Sequence, residues 1–391
     1  MLKLATSKAK FSSEWSYGAN CAKLTDNHML PQQLRSEYLQ LLSDDSAELA
    51  EGFAGYLVIG HERPDVANSI TLSDEFSYMG RDDVIFISPE ENHVRSLFRA
   101  NTNHNSFLLT ERCNHYCVMC SQPPRDIDDG FLATHILEAI PLLPTYTKSI
   151  GITGGEPTLM KDGLLEIIKA CKYHHPDAGV HILSNGTTFK DNNFAKEVAE
   201  IGHPDLMFGI PIYSNKPEIH NFVVQAPNAL DSTLHGILNL KGNGVKVEVR
   251  VVLHRYTIPT LDELAQFLVT NLVFVDQVAF MGLEAMGFAK SNWDDLWIHP
   301  KDYQDELKSA VMRCAENEMT ALIYNLPLCW LDHEIHKYSV KSISDWKNDF
   351  PEACNTCAAF SQCGGFFSSN LAKGATSELS PFTASSMPVV Y

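Results

Sequence analysis

The chain has 391 residues, 45% hydrophobic and 20% charged, enough to bury a sizeable core, which excludes a mainly disordered or low-complexity protein. At roughly 150 residues per domain, this length predicts two to three domains. Thirty Lys and Arg against 48 Asp and Glu leave a net charge of −18; most of the basic residues are dispersed, so the surface repels phosphate backbones and nucleic acid is disfavoured as a partner.

The opening stretch, MLKLATSKAKFSSEW, has lysines but no apolar segment of the kind a secretory signal needs, and it reads as a solvated start with a weak transit-peptide flavour. No apolar run approaches the roughly 18 residues that span a bilayer. The expected setting is the cytoplasm, with no membrane partner. Leu34–Leu42 has a helical pattern, while Tyr56–Ile59, Val84–Ile87 and Val94–Phe98 read as short strands between Gly, Pro and acidic turns. A small N-terminal α+β or β domain is predicted over residues 1–100.

From 101 to 300 short apolar runs alternate with helical patterns. Strands are predicted at 107–110, 149–153, 180–183, 206–213, 245–254 and 277–283, and helices at 132–143, 163–173, 193–201, 229–239 and 261–272. A βα repeat of this kind demands a parallel sheet with right-handed crossovers. Six strands are too few for a closed eight-fold barrel, so the fold class is α/β, an open, partial (β/α)6 barrel. Chemistry in such folds collects at the C-terminal ends of the strands. The polar groups follow that rule. A three-cysteine loop follows the first strand, Gly154-Gly155-Glu156-Pro157 the second, and Ser184-Asn185-Gly186 the third. Tyr213 and Ser214 close the fourth, Arg250 and His254 lie late on the fifth, and Gly282, Glu284 and Gly287 end the sixth. Tyr213, Asp276 and Glu284 are near enough to this rim to be acid–base candidates. Residues 301–370 are irregular and cysteine-bearing apart from the apolar strand Ala321–Leu328, and the Ser/Ala/Pro-rich stretch 371–391 is expected to be a flexible tail. No internal repeat of solenoid-like period is visible.

Ten cysteines without a secretory signal point to metal chemistry more than to a disulfide framework. Cys171 and Cys314 continue apolar helical stripes and Cys21 stands alone, so these three read as structural. Cys113, Cys117 and Cys120 supply three thiolates within eight residues. Structural zinc wants a fourth ligand, and none follows at a useful spacing. A [4Fe–4S] cubane held by three thiolates leaves one iron open, which calls for a substrate or cofactor to bind it. Cys329, Cys354, Cys357 and Cys363 offer a full complement, suited equally to a second [4Fe–4S] cluster or to structural zinc. Cys329 alone also reads as a buried thiol at a strand end.

The run LLTERCNHYCVMCSQPP followed by GITGGEPTL resembles the radical S-adenosylmethionine (SAM) superfamily across roughly residues 106–290. That resemblance implies a radical SAM barrel with Cys113, Cys117 and Cys120 on a SAM-binding [4Fe–4S] cluster, reductive SAM cleavage and a 5′-deoxyadenosyl radical. It implies that Gly154, Gly155, Glu156 and Pro157 receive the SAM amino group, that Met119 lies beside the adenine, and that Ser184 with Asn185, or Ser214, meets the ribose. Arg250 falls to the SAM carboxylate, and Met281 and Gly282, on to Ala285, to the adenine-flanking strand. The Cys354-x2-Cys357-x5-Cys363 spacing before Gly-Gly-Phe-Phe looks like the auxiliary-cluster extension of peptide-modifying members. Phe367 stands where the longer form has a further Cys, so one auxiliary cluster is implied.

Together with KSISDWKNDFPEACNTCAAFSQCGGFF, the chain is similar to the His-Xaa-Ser system radical SAM maturases of the HxsC type. The implied substrate is a ribosomally made peptide or small protein. A companion radical SAM protein and an external electron donor are the implied partners. The alternatives are a radical SAM enzyme acting on a small molecule or RNA, and a cluster-bearing scaffold that presents a peptide to a companion enzyme.

Overall fold

The computed structural model describes residues 2–42, 47–63, 66–375 and 377–386. The N-terminal part is a mixed sheet in the order Ala5–Thr6, His93–Phe98, Val84–Ser88, Cys21–Thr25, Tyr38–Leu42, Gly55–Ile59, Ser69–Leu72, Lys10–Phe11. Four of its strands, from Cys21–Thr25 to Ser69–Leu72, are parallel neighbours in chain order. Here the helix expected at Leu34–Leu42 is corrected. Only Gln32–Arg35 is helical, and Tyr38–Leu42 is a central strand. Leu39 and Leu41 pack on one face and Leu42 on the other, and a strand buried on both faces loses the alternation that would mark it.

The second sheet holds eight parallel strands laid down in chain order: β1 (Ser106–Leu108), β2 (Ser149–Thr153), β3 (Gly179–Leu183), β4 (Leu206–Pro211), β5 (Lys246–Leu253), β6 (Gln277–Gly282), β7 (Ala321–Tyr324) and β8 (Ser339–Val340). β1 and β8 are its two edges and do not pair, so the barrel is open. The six expected strands are present, and β7 and β8 extend them. Helices α1 (Phe131–Ala139), α2 (Lys161–His174), α3 (Asn192–Ile201), α4 (Ala229–Gly242), α5 (Leu261–Asn271) and α6 (Gln304–Glu316) cover the outside. Ile152, Ile182, Phe208, Ile210 and Val249 on the strands, with Leu164, Ile168 and Leu264 on the helices, are fully buried there. Each such side chain contributes about 1.5–3 kcal/mol relative to exposure. Cys171 and Cys314 belong to this core, and Cys21 is buried against it.

Alternate strand positions face the inside of the half-barrel. Leu183 is opposite Gly209, Gly209 opposite Glu248, and Glu248 opposite Gln277, one continuous row across four strands. Between this concave face and the strands Val84–Ser88 and His93–Phe98 of the first sheet lies a cavity of about 1290 Å³, and both free edges of the barrel border it. Residues 344–347 tie the parts together. Asp345 pairs with Arg99 at 2.9 Å, the Trp346 carbonyl accepts from Leu2 N–H at 2.8 Å, and Lys347 pairs with Glu284 at 2.9 Å.

The stretch expected to be a flexible tail from 371 is in part packed. Leu379 and Phe382 lie against the barrel core, and the Phe382 carbonyl accepts from Ala358 N–H at 2.8 Å. These two apolar side chains supply the anchorage that the Ser/Ala/Pro-rich composition conceals. Residues 376 and 387–391 of that tail lie outside the described residues. No described helix is long and apolar enough to cross a membrane.

Candidate functional site

The loop after β1 carries the first three cysteines and is pinned on several sides. Asp129, fully buried, accepts from Thr110 Oγ1 at 2.8 Å and Glu111 N–H at 2.6 Å, and pairs with Arg112 at 3.2 Å. Tyr116 and Val118 donate their N–H groups to the carbonyls of Val224 and Val223, at the end of helix Pro217–Val224. The Cys120 carbonyl accepts from Phe288 N–H at 2.8 Å, which Gly287 permits: its φ is +53°, and a Cβ there would lie 2.5 Å from that oxygen.

The GGEP loop after β2 is stitched to the same segment. Gly155 N–H donates to the Thr110 carbonyl at 2.7 Å and Glu156 N–H to the Arg112 carbonyl at 2.8 Å. A Cβ on Gly155 would lie 2.2 Å from the Arg112 carbonyl oxygen, and one on Gly154 2.7 Å from that of Thr110. The two glycines are therefore required by the approach of one loop to the other.

The three sulfurs are near enough to perturb one another. Burial and the His115 N–H bond, at 3.4 Å, set Cys113, whose thiol is pushed up to about 11. Cys117 is raised further by burial and by the charges of Cys120 and Cys113, and burial raises Cys120. Three half-buried thiols that resist ionising in protein alone suit a cationic centre that would hold them as thiolates.

The remaining expected site residues fall as follows. Glu156 is 1% exposed. Its Oε1 accepts from Thr158 N–H, Thr158 Oγ1 and Ser184 Oγ at 3.0, 2.6 and 2.8 Å, and its Oε2 from Asn185 N–H at 2.6 Å. Burial nevertheless raises its carboxyl. Glu156 and Ser184 thus engage each other, which is a different use from the ligand contacts expected of them. Pro157 opens the short 3-10 turn that Glu156 caps. Asn185 spans back to the cysteine loop, donating to Asn114 Oδ1 at 2.7 Å. Ser214 is fully buried with its hydroxyl 3.0 Å from Thr260 Oγ1, away from any open surface.

Met119 is buried among Tyr213, Val223, Leu283 and Trp293. Met281 lines the large cavity, whereas Gly282 serves packing: a Cβ there would meet the Asn325 carbonyl at 2.5 Å. Arg250 faces the cavity and is held by Glu248 at 2.5 Å. Of the acid–base candidates, Tyr213 is buried beside Cys117 and Cys120, which with burial push its phenol up, and Glu284 lines the cavity. Asp276 is not at the rim. It precedes β6 at the opposite end of the sheet, tied to Lys241 and the Val247 N–H, each at 2.7 Å.

Sequence reasoning missed a polar row inside the barrel. Glu248 is fully buried among Arg250, Gln277 and His181; burial alone would raise it, but the neighbouring His181 and Arg250 outweigh that and hold it at about 2. The signal was available: K-V-E-V-R places charges at alternate positions of a strand that is otherwise valine. Lys347, set over the rings of Trp346 and Phe367 and paired with Glu284, was also missed.

Cys329, Cys354, Cys357 and Cys363 converge on one small cavity. The rest of its lining is apolar, chiefly Pro327, Leu328, Phe350, Phe360, Phe366 and Phe382. Cys329 therefore sits with the other three and not in the barrel core. Backbone N–H groups point at the sulfurs: Phe382 at Cys357 (3.3 Å), and Leu328 and Gly365 at Cys363 (3.5 and 3.4 Å). Burial and the neighbouring sulfurs push Cys354 up to about 11. A tetrahedral zinc at 2.3 Å would place thiolates about 3.8 Å apart. In neither cysteine set do three sulfurs lie within 4.8 Å of one another; the one described group that does gather so closely is the solvent-facing Asp332, His333 and Glu334.

Residues 107–268 match the model of the radical SAM superfamily. With the half-barrel of parallel strands, this stretch is a radical SAM domain, whose family uses a [4Fe–4S] cluster and SAM. The chain is 25% identical over 192 residues to "Probable GTP 3′,8-cyclase" of Sulfurisphaera tokodaii, covering 48% of this chain and 58% of that protein. It is 26% identical over 153 residues to "Fe-coproporphyrin III synthase" of Methanosarcina barkeri (38% and 37%), and 29% identical over 167 residues to "GTP 3′,8-cyclase" of Campylobacter jejuni subsp. doylei (40% and 48%). The chain thus spans about half the length of the curated relatives it matches. Among solved structures it is similar to Streptococcus suis SuiB (TM-score 0.45, 16% identity, 64% of this chain and 54% of that one) and to native anSMEcpe with bound AdoMet (TM-score 0.43, 16% identity, 56% and 62%).

Proposed function

We propose that this chain is a radical SAM enzyme that modifies a ribosomally made peptide, of the HxsC type in a His-Xaa-Ser system, acting in the cytoplasm with a companion radical SAM protein and an external electron donor. The observation that carries the peptide reading is the cavity. At about 1290 Å³ it has room for a substrate beside SAM, and both free edges of the half-barrel border it, which suits an extended chain entering from outside.

In this reading Cys113, Cys117 and Cys120 hold the open cluster. Bound there, cluster and SAM supply a 5′-deoxyadenosyl radical that abstracts a substrate hydrogen. Glu156 and Ser184 fix the ends of β2 and β3 so that the Gly154–Gly155 backbone keeps its place beside the cysteine loop. Glu248 orients Arg250 toward the cavity, where its free guanidinium N–H groups can meet the SAM carboxylate, and Met281 gives apolar surface for the adenine. Cys329, Cys354, Cys357 and Cys363 would hold an auxiliary [4Fe–4S] cluster, the N–H···S bonds steadying their thiolates in an apolar setting.

A small-molecule reading is favoured by the names of the sequence relatives, two of which are GTP cyclases. Two measurements separate the readings. Anaerobic reconstitution and 5′-deoxyadenosine formation with reductant test the enzyme against a scaffold. Mass spectrometry of a co-expressed His-Xaa-Ser-repeat peptide tests the substrate class: a peptide of altered mass supports the proposal, and an unaltered peptide alongside active SAM cleavage overturns it.

A further inference from the structure

The floor of the large cavity is the strand His93–Phe98. Val94 is buried in the core of the N-terminal sheet, while His93, Arg95 and Leu97 line the cavity. Arg81, Arg99, Arg112, Arg125, Arg250 and Arg313 each hold a carboxylate. The Arg95 side chain makes no hydrogen bond, ion pair or ring contact among the described residues, although burial presses on its charge. The acid nearest in effect, Glu111, is already paired with Arg125 at 2.9 Å. Beside Arg95 stands His135, its ring tilted against Phe86, another cavity residue, with centroids 4.1 Å apart. A guanidinium partly withdrawn from water and left without an anion gains from a ligand that supplies one.

We propose that Arg95, with His135 at its side, is an anchor for a carboxylate of the substrate. This rests on the peptide reading above and adds to it a required acidic group. The planar guanidinium fork matches a carboxylate through two parallel N–H···O bonds. The protein, at −18, repels acidic chains in general, so a cation free of any ion pair inside the cavity gives selectivity by position and not by bulk charge. The same cavity is lined by Gln122, just past Cys120, and by Met281 at the end of β6. A peptide held at Arg95 can therefore run along one continuous space to the cysteine loop.

The test uses the reconstituted full chain without SAM, so that it reads binding and not turnover. Phenylglyoxal labelling followed by peptide mapping should modify Arg95 ahead of Arg99 and Arg112. A C-terminally amidated peptide with two His-Xaa-Ser repeats and one glutamate should protect Arg95, and its glutamine counterpart should not. The glutamine peptide with a free C-terminus distinguishes a terminal carboxylate from a side-chain one. Arg95→Gln should weaken binding of the fluorescein-labelled glutamate peptide about tenfold, as expected for a charged hydrogen bond, with Arg95→Lys between. Labelling no faster than Arg99, equal protection by the amidated glutamine peptide, or protection by inorganic phosphate alone would overturn the anchor. Peptide modification that persists unchanged in Arg95→Gln sinks the anchor and leaves the peptide reading standing. Selective labelling and protection with no peptide modification does the reverse.

Discussion

Ser184 Oγ lies 2.8 Å from Glu156 Oε1, so the ends of strands β2 and β3 are joined through a buried carboxylate with four donors. This pairing changes what substitutions at the two positions should do. Ser184→Ala removes one hydrogen bond to a charged group, about 1.5–3 kcal/mol of stability. Its effect on SAM affinity should be less than the roughly tenfold of a lost direct contact. Glu156→Gln should cost more stability, on the order of 3 kcal/mol, because an amide NH2 cannot accept from the donors it would face. Urea unfolding and equilibrium SAM binding check both; a large affinity loss in Ser184→Ala with unchanged stability would return that serine to the ligand.

Gly155→Ala should act on the cysteine loop through backbone packing. The new Cβ would meet the Arg112 carbonyl oxygen at 2.2 Å, a backbone atom that cannot swing aside. Overpacking of this kind costs about 1–3 kcal/mol or more, and here it displaces the segment leading to Cys113. Lower iron content after reconstitution, with a lowered Tm, is the expected result.

Replacing Cys113, Cys117 and Cys120 together with Ala should remove about four irons per chain, the content of one cubane, and abolish SAM cleavage. Iron analysis and 5′-deoxyadenosine assay read the two effects separately. Continued 5′-deoxyadenosine formation in this variant would mean that the open cluster lies elsewhere.

Acid should destabilise the fold through two buried histidines behind that loop. His220 and His254 are 1% and 0% exposed, and burial lowers both from 6.5 to about 3. Each stays neutral in the folded chain while the unfolded chain takes up a proton below 6.5. Stability is therefore complete above 6.5 and falls as pH drops toward 3, by up to about 1.4 kcal/mol per pH unit for each ring. Urea midpoints across this window should slope less steeply in the double variant His220→Asn, His254→Asn.

Much of the barrel was legible because its signals are local. Ile150 and Ile152 on β2, or Leu164, Ile167 and Ile168 on α2, repeat with the period of their element. The cysteine spacings and the GGEP run are equally local. What escaped depends on contacts between distant segments. Tyr38–Leu42 is a strand only because Cys21–Thr25 and Gly55–Ile59 flank it. That Ser184 engages Glu156, or that Arg95 faces the barrel, follows from pairings that no window of sequence contains. Asp276 was misplaced for a simpler reason: it directly precedes the strand predicted at 277–283, and so belongs to the end of the sheet opposite the rim.

The second thiol set yields the prediction that most directly tests the whole arrangement. Cys329 follows β7, a strand of the barrel itself, whereas Cys354, Cys357 and Cys363 lie on a loop with little regular structure beyond short 3-10 turns. Their common cavity is apolar, so four thiolates there need a cationic core to be stable. An auxiliary cluster is the core proposed above for this chamber, with structural zinc as its rival. The intact protein should then hold about eight irons per chain and no zinc, and the variant lacking Cys354 and Cys357 about four. That variant should also lose order in the packed segment around Phe382, whose N–H bonds Cys357 Sγ at 3.3 Å, seen as faster proteolysis after residue 370. It should keep its SAM cluster, because Cys113, Cys117 and Cys120 are held by β1, β2 and the Asp129 carboxylate and not by this loop. About four irons plus one zinc in the intact protein would overturn the auxiliary cluster and leave the SAM site untouched.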